Sequence, residues 1–127
     1  VATDNEDKQM EASAKIAMVH KYVAAFEKQD MDIIHEIYSQ DARVEDPVGT
    51  DIHVGIDAVC AFYEGALKSG AKLVLSGDPR CSGNAVAFPF QVIMPGVTID
   101  IIDVFEFNDE GKVNSMKAYW SGDNMKS

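Results

Sequence analysis

Ile99 to Phe107 reads IDIIDVFEF, and the alternation within it decides the fold. On an extended strand alternate side chains share a face, so Val97, Ile99, Ile101, Phe105 and Phe107 point one way and Asp103 points with them. The opposite face, Thr98, Asp100, Ile102, Val104 and Glu106, already carries the acids expected on a solvated side. An ionised carboxylate is costly to bury unless it is paired. Three outcomes therefore stand open for Asp103. A cation neutralises it, a bulge turns it out of the apolar row, or its pKa rises and it keeps its proton, becoming a hydrogen-bond donor in a dry place.

Outward from this strand the period of two continues on both sides. Pro95-Gly96 makes a tight turn into Ala85–Met94, where Val86, Phe88, Phe90, Val92 and Met94 share a face. Asn108-Asp109-Glu110-Gly111 turns into Lys112–Ser121, where Met116, Ala118 and Trp120 do so. A strand over Ala71–Leu75 precedes the loop GDPRCSGN. Before Gly70 the period becomes helical. Ile56–Leu67 places Ile56, Val59, Cys60, Tyr63 and Leu67 on one stripe, with Gly70 as the stop. Val48–Val54 reads as a polar loop with Gly49 and His53. A first strand is expected over Ala42–Asp46, ended by Pro47, with Asp46 extending the inward row of Ala42 and Val44. Asp32 is expected to cap a short helix, Ile33–Tyr38. Met10–Gln29 is a helix with Ile16, Val19, Val23 and Phe26 on its apolar stripe, and Tyr22 shares that side. Val1–Gln9 has no periodicity and reads as a loose arm before a single domain over 10–127. Helices first and antiparallel strands after give an α+β class, a curved sheet with three helices packed on one side.

Composition narrows the function. The net charge is −10 and the arginines are Arg43 and Arg80 alone, against the basic clusters that nucleic acid and anionic membranes require. Cys60 and Cys81 fit neither a disulfide framework nor a zinc spacing. No apolar run reaches the roughly 18 residues of a membrane span, and the first residues are acidic rather than a leader. A soluble, cytoplasmic protein is the expectation.

Two carboxyls in unlike surroundings can divide acid and base roles. Asp46, at a strand end beside a polar loop, can stay ionised and remove a proton. Asp103, among Ile and Phe, can stay protonated and donate. Tyr22 supplies a second donor, and Phe88, Phe90, Ile99, Ile101, Met116 and Trp120 offer an apolar cavity for a flat, greasy substrate. The reaction class is proton abstraction beside a carbonyl, through an enolate.

The segments HKYVAAF, YSQDARVEDPVG, AFYEGALKSG, FPFQV, DIIDVFEF and MKAYWS, between His20 and Ser121, resemble the ketosteroid isomerases. These are steroid Δ5-isomerases of the cone-shaped, nuclear transport factor 2-like α+β superfamily. They are the standing example of a carboxylic acid kept neutral so that it can donate, so the division of roles between Asp46 and Asp103 is that family's own pattern. The resemblance implies a mixed, largely antiparallel sheet with the helices on its concave side. It implies Asp46 as the base moving a proton from C4 to C6 of a 5-ene-3-ketosteroid, with Tyr22 and Asp103 as donors to the C3 oxygen. Tyr38 and Tyr63 would form a hydrogen-bonded network polarising Tyr22. Phe26, Leu67, Phe88, Phe90, Ile99, Ile101, Met116 and Trp120 would line the pocket. A homodimer without metal or organic cofactor is implied as well. The chain departs from the pattern in its long acidic arm, its short Met94-Pro95-Gly96 hairpin and Arg43 beside the base strand.

Other readings share the scaffold. An epoxide hydrolase needs an Asp-Arg-Asp cluster, and neither arginine falls on an inward position. A polyketide cyclase is a further enzymatic alternative. A dehydratase uses inward histidines, whereas His20, His35 and His53 read as surface or helix-face residues away from the acids. A non-catalytic ligand-binding module or dimeric adaptor would leave the joint presence of Asp46, Asp103 and Tyr22 without a use.

Overall fold

The computed structural model describes residues 10–127, so the expected N-terminal arm lies outside it. Helix α1, Ala12–Lys28, buries Lys15, Val19, Tyr22, Ala25 and Phe26, a spacing of three and four that lays one stripe against the sheet. It ends where Gln29 turns left-handed, with φ 51°. Helix α2, Met31–Ile37, is capped by Asp30, whose carboxylate accepts from the Asp32 amide at 2.9 Å. The cap is therefore Asp30 and not Asp32. Tyr38, expected in that helix, instead opens strand β1, Tyr38–Glu45, and Asp46 lies just past its end.

Strand β2, His53–Val54, forms inside the expected polar loop and pairs antiparallel with β1. Helix α3, Ile56–Lys68, follows, and then β3, Lys72–Leu75. Strand β4, Arg80–Ser82, occupies part of GDPRCSGN, which is thus not wholly loop. Strands β5, Ala85–Met94, and β6, Val97–Phe107, make the long central hairpin, turned at Gly96 with φ 80°. Strand β7, Val113–Tyr119, a 3-10 turn at Gly122–Asn124 and β8, Met125–Lys126, complete the chain.

The sheet order is β2-β1-β7-β6-β5-β3, with β4 paired to β5 and β8 to β6. β1 and β7 run parallel and every other pair antiparallel, so the sheet is mixed. A bulge in β7 lets Val113 and Met116, three residues apart, both face inward, because Phe107 pairs with Val113 while Glu106 pairs with Ser115. Pro89 sits inside β5 without breaking it. Its carbonyl accepts from Ser76, on the side where β5 passes from β3 to β4, so its missing N–H faces that gap and not β6. The helices and the inward residues of β1, β5, β6 and β7 share one apolar core. Phe105, fully buried at its centre, contributes roughly 1.5–3 kcal/mol by burial.

Candidate active site

Between the helices and the sheet lies a cavity of about 220 Å³. Tyr22 and Phe26 of α1, Phe62, Tyr63, Ala66 and Ser69 from α3 and its end, and Ala71 and Leu73 form part of its wall. Phe90, Val92, Met94, Ile99 and Ile101 of the central hairpin form the rest, with Asp46 and Trp120. The wall is apolar except where Asp46, Trp120, Ser69 and the two tyrosines interrupt it.

Asp46 is held by the chain that follows β7. The Trp120 indole Nε1–H donates to its Oδ1 at 2.8 Å, which leaves Oδ2 for another proton. Burial raises the Asp46 pKa, while the Trp120 hydrogen bond and the charge of His53 act in the opposite direction.

Asp103 is 1% exposed, and among the described residues neither of its oxygens has a hydrogen-bond partner. Burial, then the Asp46 charge, push its pKa well above the usual carboxylate range. The Tyr22 hydroxyl, which shares a hydrogen bond with Tyr63, is close enough to work against that rise. Of the three outcomes open for Asp103, pairing and eversion fail among the described residues. None of their cations bonds it, and it stays in the inward row of an unbroken pairing with Phe88 and Ala118. Burial and the Asp46 charge both favour the protonated form of the acid.

Three buried hydroxyls form a chain, Tyr38 to Tyr63 at 2.5 Å and Tyr63 to Tyr22 at 3.1 Å. Each tyrosine pKa is raised well above its ordinary value, first by burial, so all three remain neutral. If Tyr38 donates to Tyr63 and Tyr63 to Tyr22, the Tyr22 proton is left over. The chain then polarises a free donor at the cavity wall.

Of the expected pocket residues, Phe26, Phe90, Ile99, Ile101 and Trp120 line the cavity. Leu67, Phe88 and Met116 do not. Phe88 and Met116 are fully buried in the core, and Leu67 faces the Gln29 side, where its carbonyl accepts from Gln29. Phe62, Ala66 and Ser69, one helical stripe beside Tyr63, were not expected on the wall, nor were Ala71 and Leu73. Val92 and Met94 continue the inward row of β5 and carried a usable signal. Arg43 and Arg80 are exposed. His20 and His35 are exposed too, but His53 is half-buried and stacks on Phe62, contrary to its expected distance from the acids. Among the described residues no group of three or more His, Cys, Asp or Glu is placed to hold a metal ion, and no helix is long and apolar enough to cross a membrane.

The description SnoaL-like domain matches residues 19–116. The chain belongs to the SnoaL-like family. Within it, the chain is 36% identical over 122 residues to a steroid Delta-isomerase of Nocardioides simplex, covering 91% of this chain and 96% of the relative. Among solved structures the fold is similar to that of SalBIII, described as an epoxide hydrolase/cyclase-like enzyme in pyran ring formation in the polyether salinomycin. That likeness has a TM-score of 0.84 at 26% identity and covers 91% of this chain and 96% of SalBIII. The fold expected from the sequence, three helices on a mixed, largely antiparallel sheet, is the one found. Both of these relatives are enzymes.

Proposed function

We propose that the protein is a steroid Δ5-isomerase. Asp46 takes a proton from C4 of a 5-ene-3-ketosteroid, and the electron pair moves into a dienolate whose charge gathers on the C3 oxygen. Tyr22 and the protonated Asp103 donate to that oxygen. Asp46 then returns its proton to C6, so neither acid ends a cycle in a changed state. The observation that carries this reading is the buried, unpartnered Asp103 next to a tyrosine chain with one proton to spare. A buried acid without a partner is costly to the fold, and a ligand oxygen drawn in beside Tyr22 would supply one.

The test is isomerisation of a 5-ene-3-ketosteroid to its conjugated 4-ene isomer, followed by growth of enone ultraviolet absorbance. Failure to turn over any of a panel of 5-ene ketones of different sizes would refute the reading. The similarity to SalBIII does not lead to epoxide chemistry, because the two arginines are exposed and no Asp-Arg-Asp cluster can form in the cavity.

The proposal includes a homodimer formed through the uncovered face of the sheet. There Ile102 and Tyr119, each about half exposed, pair across β6 and β7, and Pro89 lies on the other side of Ile102. Ala87 and Val104 extend the patch in the next row. A contiguous apolar patch at the centre of a sheet face suits a second copy of the same surface.

A further inference from the structure

The register of β2 fixes the direction of His53. His53 lies opposite Val44 and Val54 opposite Arg43. Residues opposite each other in an antiparallel pair share a face, as do residues two apart on one strand. Val44 is fully buried on the inner face, while Val54 and Arg43 are exposed on the outer. His53 is thus turned to the inner side, towards Asp46, two residues beyond Val44. Asp46 is one residue past the end of β1, and at strand spacing a diagonal neighbour sits roughly 7 Å away, within reach of an aromatic side chain. From above, the His53 ring packs on Phe62 of α3 with centroids 4.6 Å apart and planes 32° from parallel. Phe62 and Asp46 both belong to the cavity wall.

We propose that His53 is a positioning residue for the base, an imidazole turned to the same inner side as Asp46 whose positive charge, where it carries one, holds the carboxylate in its ionised form. The role rests on the reading of Asp46 as the base. A positive charge beside a partly buried carboxylate favours its ionised form and offsets the pull of burial. The charge of His53 opposes the upward pull of burial on Asp46, in line with the geometry.

The other charged groups around the ring do not compete for it. On β1, Arg43 and Glu45 face outward, and Glu45 accepts from the Gly49 amide at 2.8 Å. On α3, Asp57 and Glu64 are exposed and screened by solvent, and Tyr63 is buried and neutral. In the loop before β2, Asp51 is exposed. Around Asp46 itself, Trp120 donates a hydrogen bond without charge, and Asp103, Tyr22 and Tyr38 are neutral. Among the described residues the imidazole is the basic side chain turned to this corner of the cavity.

Three variants separate charge from packing. His53→Gln removes the charge and the stack, His53→Phe keeps an aromatic stack without the charge, and His53→Lys keeps a charge without the stack. The carboxyl carbon of Asp46, labelled with carbon-13 and assigned with Asp46→Asn, is titrated by NMR in each, beside the pH profile of kcat/KM. In His53→Gln and His53→Phe the NMR midpoint and the acid limb should both move up by at least about half a pH unit, the lower limit for a unit charge roughly 7 Å away in a nearly water-like medium. In His53→Lys they should stay at or below the wild-type position. Midpoints that coincide in wild type, Gln and Phe, or a Lys variant that behaves as Phe does, would overturn the proposal. A wild type whose Asp46 follows His53 but which isomerises no 5-ene ketone would overturn the isomerase reading and the catalytic role with it, while the carbon-13 midpoints would still record the coupling.

Discussion

Replacing Asp103 by Asn changes how stability depends on pH. In the folded protein Asp103 is 1% exposed, has no partner for either oxygen and has a pKa well above the usual range, from burial first and the Asp46 charge second. In the unfolded chain it titrates near about 3.9. Above that pH the unfolded state sheds a proton that the folded state retains, so the acid's contribution to stability is full in acid and declines as pH rises towards its folded pKa. The decline is about 1.4 kcal/mol for each pH unit, whatever the final pKa. Asn keeps the size and an N–H donor but cannot titrate. The stability difference between Asp103→Asn and wild type should therefore grow in favour of the variant at about 1.4 kcal/mol per pH unit from near pH 5 up to the folded pKa of the acid. Urea unfolding followed by circular dichroism, at one protein concentration and at several pH values, reads this slope directly. A difference independent of pH between about 5 and 8 would mean that the folded acid titrates as the unfolded one does. Asp103 could then not be the neutral donor the mechanism needs.

The remaining predictions concern chemistry and assembly. Asp46→Asn should lower kcat/KM by roughly 10²–10⁴-fold, the usual worth of a general base, while a phenolic steroid still binds because both donors remain. Loss of that binding in a titration would place Asp46 in ligand recognition and not in proton transfer. Tyr22→Phe should lower kcat by roughly 10²–10³-fold with little change in KM. Tyr63→Phe should cost less and Tyr38→Phe least, since each removed hydroxyl is one bond further from the cavity. Equal losses across the three in steady-state kinetics would refute a relay that ends at Tyr22. Ile102→Lys, placed on the uncovered sheet face, should shift a dimer to monomer in analytical ultracentrifugation; an unchanged mass would remove that face as the interface.

The parts of the fold legible in the sequence were those with enough residues to show a period. β5 and β6 run 10 and 11 residues, and their alternation set their limits without error. β4 and β2, with three and two residues, are too short to alternate, and they exist because longer neighbours offer them an edge. Tyr38 was misplaced because no Gly or Pro separates Ile37 from it, and Ile37 and Tyr38 are both buried whichever element holds them. The three candidate catalytic residues stood out for a physical reason, as polar groups on apolar rows. Which inward residues meet the cavity was not legible. Phe88 and Phe90 share a face of β5, yet Phe88 lies under the Tyr22 ring, centroids 6.1 Å apart, while Phe90 reaches the open space. The approach of α1 decides between them, and strand alternation carries no trace of it. His53 was missed for the same reason, since its direction comes from pairing with Val44 across a loop that has no period of its own.

One scaffold hosting a steroid isomerase and an epoxide hydrolase/cyclase-like enzyme poses the question of what selects the chemistry. Opening an epoxide asks an acid to hand over its proton and stand as an anion until it is reset. Asp103 is poorly suited to that, because no cation lies within bonding distance and burial opposes its charge. Transposing a double bond beside a carbonyl asks Asp103 only to share its proton with an oxygen and keep it. In the proposed mechanism the travelling proton comes from the substrate and is carried by Asp46, whose Oδ1 accepts from Trp120 and whose ionised form the charge of His53 favours. The unlike surroundings of the two acids thus support the proposed isomerisation over ring opening. An arginine brought beside Asp103 would stabilise the anion that ring opening requires, and would remove the neutral donor that the proposed isomerisation needs.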